Sequence, residues 1–392
     1  MKKKKISHTL FALVALALLG CSGGGDDSAE EQPDTVKPTL SCPETINIVI
    51  DAGLTGTEVT YVTPLGTDNS ASPVTTQSAG LASGQLFPIG TTTNSFLVTD
   101  ASGNTNTCSF DVVVSVPSEN EPYKLSGGVD TPTGKKWSKV EDLSDEFNGT
   151  SFDDEKWHRN PASDGFGWYG RPPALFESKN VSVSDGNMNV TVEEMASPKN
   201  VSGNNYTHGG SIVRSKMTAK PGMYYECRMQ ANKTVMSSTF WIAFKQNCSS
   251  GPVRKLELDI QECVGRFSGS ADWAVDYANA FASNTWRHAR PCDVSVSVQR
   301  PGKTVLTEKN NSRFFVYACW WKSPTEMLFY LDGVYTHSIT PATDFDIEGH
   351  ITMAIETYDW NPIDAENIFS TGSVDDRSTK YDWIRTWELE DE

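Results

Sequence analysis

From Trp137 onward, apolar and polar residues alternate with a period of two in one run after another: VSVSDGNMNVTV (181–192), MYYECRMQA (223–231), RFFVYACWW (313–321) and EMLFYLDGVYTHSI (326–339). On an extended chain such alternation sends one row of side chains inward and the other outward, so each run predicts a strand with one buried face. Shorter runs of the same kind, INIVI (46–50), EVTYV (58–62), NSFLVTD (94–100) and CSFDVVVSV (108–116), lie between Gly, Asn, Asp and Pro turns. No long stretch carries the helical period, so the pattern predicts an all-β protein. It divides into an immunoglobulin-like β-sandwich over 36–117, a Pro/Gly/polar linker over 118–135 and a large antiparallel sandwich over 136–392.

The start of the chain follows a different pattern. Residues 1–20 combine four lysines with an apolar stretch from about Leu10 to Leu19, too short for the roughly 20 residues of a spanning helix. Leu18-Leu19-Gly20-Cys21 looks like a bacterial lipoprotein box, so 1–20 is read as a signal peptide and Cys21 as the lipidated first residue of the mature chain. The Gly-, Ser- and acid-rich segment 21–35 is read as a flexible tether, and it resembles the acidic tethers of surface-exposed lipoproteins of the Bacteroidota. These features predict a monomer on the outer face of the outer membrane, held by its lipid alone. Loss of the four signal lysines moves the formal charge from −17 to −21, which speaks against nucleic acid as a partner.

Eight cysteines in an exported chain point to disulfides, and with Cys21 lipidated at least one of the other seven is a thiol. Cys42 near the first strand and Cys108 on the last are placed to pair across the small sandwich. Cys227 and Cys319 fall in strand cores and read as buried thiols; Cys248 pairs with Cys263 or with Cys292. There is no C-x-x-C pair, which excludes the usual structural zinc sites.

The chemistry lies in Glu257-Leu258-Asp259-Ile260-Gln261-Glu262. On a strand, Glu257 and Asp259 share one face, while Leu256, Leu258 and Ile260 take the other and bury between the sheets. Glu262 is five positions from Glu257, so a regular strand would send it to the apolar face. A β-bulge near Ile260 and Gln261 is therefore predicted, which returns it to the side of its partners. Two carboxylates about 5 Å apart then suit a retaining double displacement at a glycosidic bond, with Glu257 as nucleophile and Glu262 as acid/base. Asp259 between them keeps their proton affinities apart. The same string also fits a solvated acidic edge strand or a calcium site.

Around that strand, Leu143-Ser144-Asp145-Glu146-Phe147, Asp185-Gly186-Asn187-Met188, the run Gly210 to Lys216, Thr239-Phe240-Trp241-Ile242 and Tyr381-Asp382-Trp383-Ile384-Arg385-Thr386-Trp387 occur in order. With these segments, 136–392 resembles glycoside hydrolase family 16, whose β-jelly-roll enzymes include laminarinases, lichenases, carrageenases, agarases and porphyranases. Segment 36–117 resembles the hyalin repeat (HYR), through Ser41-Cys42-Pro43, the stretch Phe87 to Thr92 and the stretch Thr99 to Asn104. The stretches Phe315 to Pro324 and Ala354 to Trp360 resemble β-agarases and β-porphyranases, which implies cleavage of β-1,4 bonds in a red-algal galactan. The resemblance further implies a cleft containing Trp168, Trp241, Trp286, Glu356 and Trp360, with His288 in a departed register. It implies no cofactor for catalysis and a structural calcium held by Glu146, the Gly186 carbonyl and Asp382. Aromatic faces in such a cleft stack on sugar rings. Trp137, Trp157, Trp383 and Trp387 read instead as packing residues. Arg171, Arg266 and Arg287 are candidates to grip a sulfate in forked geometry, and the residues alone do not choose between agarose and porphyran. Carrageenase- and laminarinase-type specificities, or a non-catalytic carbohydrate-binding protein, are the alternatives.

Overall fold

The computed structural model describes residues 33–50, 54–70, 72–116, 118–123, 131–163, 165–244, 248 and 254–392. Cys21, expected from the sequence to be lipidated, the expected signal peptide over 1–20 and most of the expected tether lie outside them. The chain forms two compact units, the larger of which contains residues 113–392.

In the N-terminal region, the strands Ile46–Val49, Thr105–Ser115, Gly90–Thr99 and Val74–Ala79 pair in that order, and Gly56–Val59 pairs with Gln85–Pro88. Their inward rows are the apolar positions of the sequence pattern: Phe96, Val98, Phe110, Val112 and Val114 are buried. The Phe96 and Phe110 rings stack 6.3 Å apart, and Tyr61 meets both edge-on. Cys42 and Cys108 form a disulfide.

The larger unit is a sandwich of two sheets. One has eight strands, in the order Val181–Ser184, Asn187–Thr191, Ser378–Asp391, Tyr224–Gln230, Phe315–Ser323, Glu326–Leu331 and Val334–Ile339, with Lys135–Lys139 added on the long Ser378–Asp391 strand. The other has nine, in the order Glu193–Val201, Asn204–Ser215, His350–Ile355, Ser237–Ala243, Lys255–Val264, Ala280–His288 and Val298–Val305. Its remaining strands, Trp157–His158 and Ala174–Phe176, pair with Asn204–Ser215.

Alternation explains the core. In Phe315–Ser323, Phe315, Tyr317, Cys319 and Trp321 point between the sheets, and Ala318 and Trp320 point outward beneath Trp137, Tyr224, Tyr330 and Trp387. Trp137, Trp157, Trp383 and Trp387 are all buried, as their packing role requires. Cys227, Cys263 and Cys319 are buried thiols, and Cys248 pairs with Cys292.

The linker reading needs a correction at Tyr123. This residue is buried against Val316 and Trp383, and its backbone N–H donates to Glu226 Oε2 at 3.0 Å. The larger unit therefore begins before residue 136. A lone aromatic in a polar stretch has no local periodicity to reveal such docking.

Candidate active site

The Lys255–Val264 strand sits in the interior of the nine-stranded sheet, between Ser237–Ala243 and Ala280–His288. Its ladder slips by one residue: Trp241 lies opposite Asp259 and Phe240 opposite Gln261, leaving Ile260 as the extra residue. This is the bulge that the spacing predicts. Ile260 and Gln261 both turn into the core, where the Gln261 amide donates to Ala280 O (3.1 Å) and accepts from Ala282 N (3.0 Å). Glu262 thereby returns to the face of Glu257 and Asp259, and all three carboxylates line one cavity of about 520 Å³.

Trp168, Arg171, Trp241, His288 and Glu356 line the same cavity. Trp168 meets Trp241 edge-on at 6.3 Å and Phe176 at 4.9 Å, so the indoles brace each other. His288 Nε2 is 3.2 Å from Glu257 Oε2, which resolves the doubtful register in favour of a cleft position. Trp286 is the cross-strand partner of Glu257, and its ring stacks on His288 at 5.5 Å. Trp360 stacks on the cavity-lining Tyr358 at 4.7 Å.

Burial and like charge shape the proton affinities. Asp259, 8 % exposed, is held well above the usual carboxylate range by burial, then by Glu257, Glu262 and Glu356. Glu262 is raised by burial and by Glu257, while Arg171 and a hydrogen bond from the Tyr358 hydroxyl oppose the rise. Burial also lifts Glu356 to about 7 against the pull of Arg171, whose Nε lies 3.2 Å from Glu356 Oε2. A carboxyl that keeps its proton beside a second glutamate is the arrangement that acid-assisted glycoside cleavage requires.

Residues 137–389 match the model of the β-porphyranase A–D group of family 16 catalytic domains, and residues 33–114 match that of the HYR domain. This chain belongs to glycoside hydrolase family 16. It is 41 % identical over 260 residues to β-porphyranase B of Zobellia galactanivorans, spanning 66 % of this chain and 86 % of that protein. It is 31 % identical to β-porphyranase B of Phocaeicola plebeius, over 66 % of this chain and 87 % of that protein. The crystal structure of the Zobellia porphyranase B superposes with a TM-score of 0.64 at 39 % identity, over 69 % of this chain and all of that one. β-Agarase A of Zobellia, at 20 % identity and a TM-score of 0.53, shares the fold.

Within this family 16 domain, two of the three arginines read as sulfate ligands have other work. Arg266 makes a forked pair with Asp364 (2.8 and 2.5 Å), and Arg287 one with Asp293 (3.1 and 2.5 Å). Arg171 lines the cavity but faces Glu356. The sequence reading missed other cations there: Arg214, Lys255 and Arg290. Arg214 is 1 % exposed with its guanidinium 3.8 Å from the Phe166 ring centroid, and burial, Arg290 and Arg214 depress the Lys255 pKa against the pull of Glu257. Lys255 was legible from register alone, two places before Glu257 and so on its face.

The calcium set fares poorly. Both Glu146 oxygens accept from Arg385, at 2.8 Å each, and Asp382 Oδ2 accepts from Arg228 Nη1 at 2.5 Å. Gly186 has φ +71° and supplies a backbone turn. With its two carboxylates committed to guanidinium groups, this trio does not fit a dication.

Proposed function

We propose that this protein is a retaining endo-hydrolase of the β-1,4 bonds of a red-algal galactan, with sulfated porphyran preferred over agarose. The observation that carries the reading is the bulged strand, which gathers Glu257, Asp259 and Glu262 on one face of an aromatic-lined cavity. The porphyranase names of its relatives support the substrate class. Arg214, Lys255 and Arg290 support the sulfated member, since converging cations in a half-buried cavity favour an anionic ligand.

In the first step Glu262 gives its proton to the glycosidic oxygen while Glu257 attacks the anomeric carbon. The leaving chain departs as an alcohol, and a glycosyl ester forms on Glu257. In the second step Glu262, now a carboxylate, takes a proton from water; the hydroxyl attacks the anomeric carbon and Glu257 is released. Asp259 holds its proton between them and limits repulsion on the strand. His288, in contact with Glu257, orients the nucleophile. Trp168, Trp241 and Trp286 stack on sugar rings, and Glu356 accepts from a sugar hydroxyl.

We further propose that the enzyme sits at the outer membrane surface through a lipid on Cys21, as a monomer with the HYR unit as spacer. No described helix is long and apolar enough to cross a membrane.

The test incubates the full chain with porphyran, agarose, κ-carrageenan and laminarin and sizes the products, with Glu257→Gln as control. Shortening of porphyran by the wild type alone is expected. Failure to shorten any galactan, or full activity in Glu257→Gln, would overturn the proposal; cleavage of agarose but not porphyran would overturn the sulfate preference.

A further inference from the structure

Beyond the cavity, the segment leaving the Glu262 end of the acidic strand carries Trp273, which is 56 % exposed. An indole with more than half its surface in water is an unusual use of the most area-rich side chain. It does not stand alone. Its ring lies 5.2 Å from that of Trp360 and 5.6 Å from that of Tyr277, and Tyr277 and Trp360 are themselves 5.2 Å apart. Trp360 stacks on Tyr358 at 4.7 Å, and Tyr358 lines the catalytic cavity with its hydroxyl directed to Glu262. A continuous series of rings therefore runs from the proposed acid/base out to solvent.

The two loops that carry these rings are locked together. Arg266 forks onto Asp364, Ser268 N donates to Asn361 Oδ1 at 2.7 Å, and Asn361 Nδ2 donates to Val235 O (2.7 Å) and Arg266 O (3.0 Å). Gly269 runs so close to the second loop that a Cβ there would lie 1.9 Å from the Trp360 carbonyl oxygen. Arg266, read from sequence as a sulfate ligand, is thus a positioning residue for this pair of loops. A platform fixed before its ligand arrives loses little entropy on binding. Packing alone explains neither the exposure of Trp273 nor the bracing beneath it.

We propose that Trp273, backed by Trp360 and Tyr277, is an outlying subsite that stacks on a galactose ring of the polymer beyond the catalytic cavity. The occupant follows from continuity: the series of rings starts at the group that would protonate the scissile bond, and a polymer cut there must extend past the cavity rim. The inference rests on the proposed galactanase function.

The test compares the full chain with Trp273→Ala and Trp273→Phe on porphyran and on the shortest porphyran oligosaccharide the wild type cleaves. Trp273→Ala is expected to lower kcat/KM on the polymer by roughly three- to tenfold through KM, with the oligosaccharide rate unchanged and Trp273→Phe close to wild type. No loss on the polymer, or an equal loss on both substrates, would overturn the subsite. Gel retardation by porphyran reads binding without turnover. If the wild type is retarded but cleaves nothing, the enzymatic reading fails while the platform stands; equal retardation of wild type and Trp273→Ala sinks the platform.

Discussion

Replacing Glu226 by glutamine should change the sign of a stability difference between acid and alkaline pH. Glu226 is fully buried beneath the terminal strand, where Oε1 accepts from Trp387 Nε1 at 2.7 Å and Oε2 from Tyr123 N at 3.0 Å. Arg385, Glu146, Tyr224 and the buried Cys227 thiol are titratable groups around it. Burial raises its pKa from 4.5 to about 7, against the pull of Trp387 and Arg385. The native state therefore binds this proton more tightly than the unfolded chain does. Its contribution to stability is complete below pH 4.5 and is lost as the pH rises through about 7. The loss amounts to about 3 kcal/mol. Glutamine does not titrate, but it sets an NH₂ against one of the two N–H donors, at a cost of about 1–2 kcal/mol. Glu226→Gln should then be less stable by the full glutamine cost of about 1–2 kcal/mol at about pH 4, and more stable by about 1–2 kcal/mol at about pH 8. Urea unfolding followed by tryptophan fluorescence reads this unit, because every tryptophan lies at or after Trp137. A wild-type-minus-variant difference that stays flat from acid to alkaline pH would refute the reasoning.

Two further outcomes follow from the site and its surroundings. In Tyr358→Phe, Glu262 loses a hydrogen bond that favours its ionised form, so its pKa rises and the alkaline limb of kcat/KM moves to higher pH, with the acid limb unmoved. A pH–rate profile with an unmoved or acid-shifted alkaline limb would contradict that role. Because Arg385 and Arg228 occupy Glu146 and Asp382, chelation with EDTA should leave the thermal unfolding midpoint of the catalytic unit unchanged, and a clear fall reversed by calcium would restore the metal site.

Local pattern made some of this legible and left the rest hidden. The acidic strand could be read because period-two geometry is strict: five places between Glu257 and Glu262 demand one extra residue, and Ile260 is that residue. The core tryptophans and the buried Cys227 and Cys319 followed from the same alternation. Arg266 and Arg287 were misread because a guanidinium advertises anion binding without naming its anion; for Arg266 the answer, Asp364, lies 98 residues away. Tyr123 was assigned to a linker for the same reason, since its partner Glu226 is 103 residues distant. The choice between Cys263 and Cys292 for Cys248 turned on strand facing: Cys263 points into the core.

The central claim is that Glu257 attacks the anomeric carbon and Glu262 handles the proton. It is tested most directly by azide rescue of Glu257→Ala and Glu262→Ala on an activated aryl β-glycoside of a porphyran oligosaccharide, with the product anomers assigned by NMR. Without the nucleophile, azide must attack from the vacant α face, so Glu257→Ala should yield the α-glycosyl azide. With the nucleophile intact, azide opens the glycosyl ester from the other side, so Glu262→Ala should yield the β-glycosyl azide. Exchanged anomers would reverse the two roles, and no rescue of either variant would contradict the double displacement on this strand.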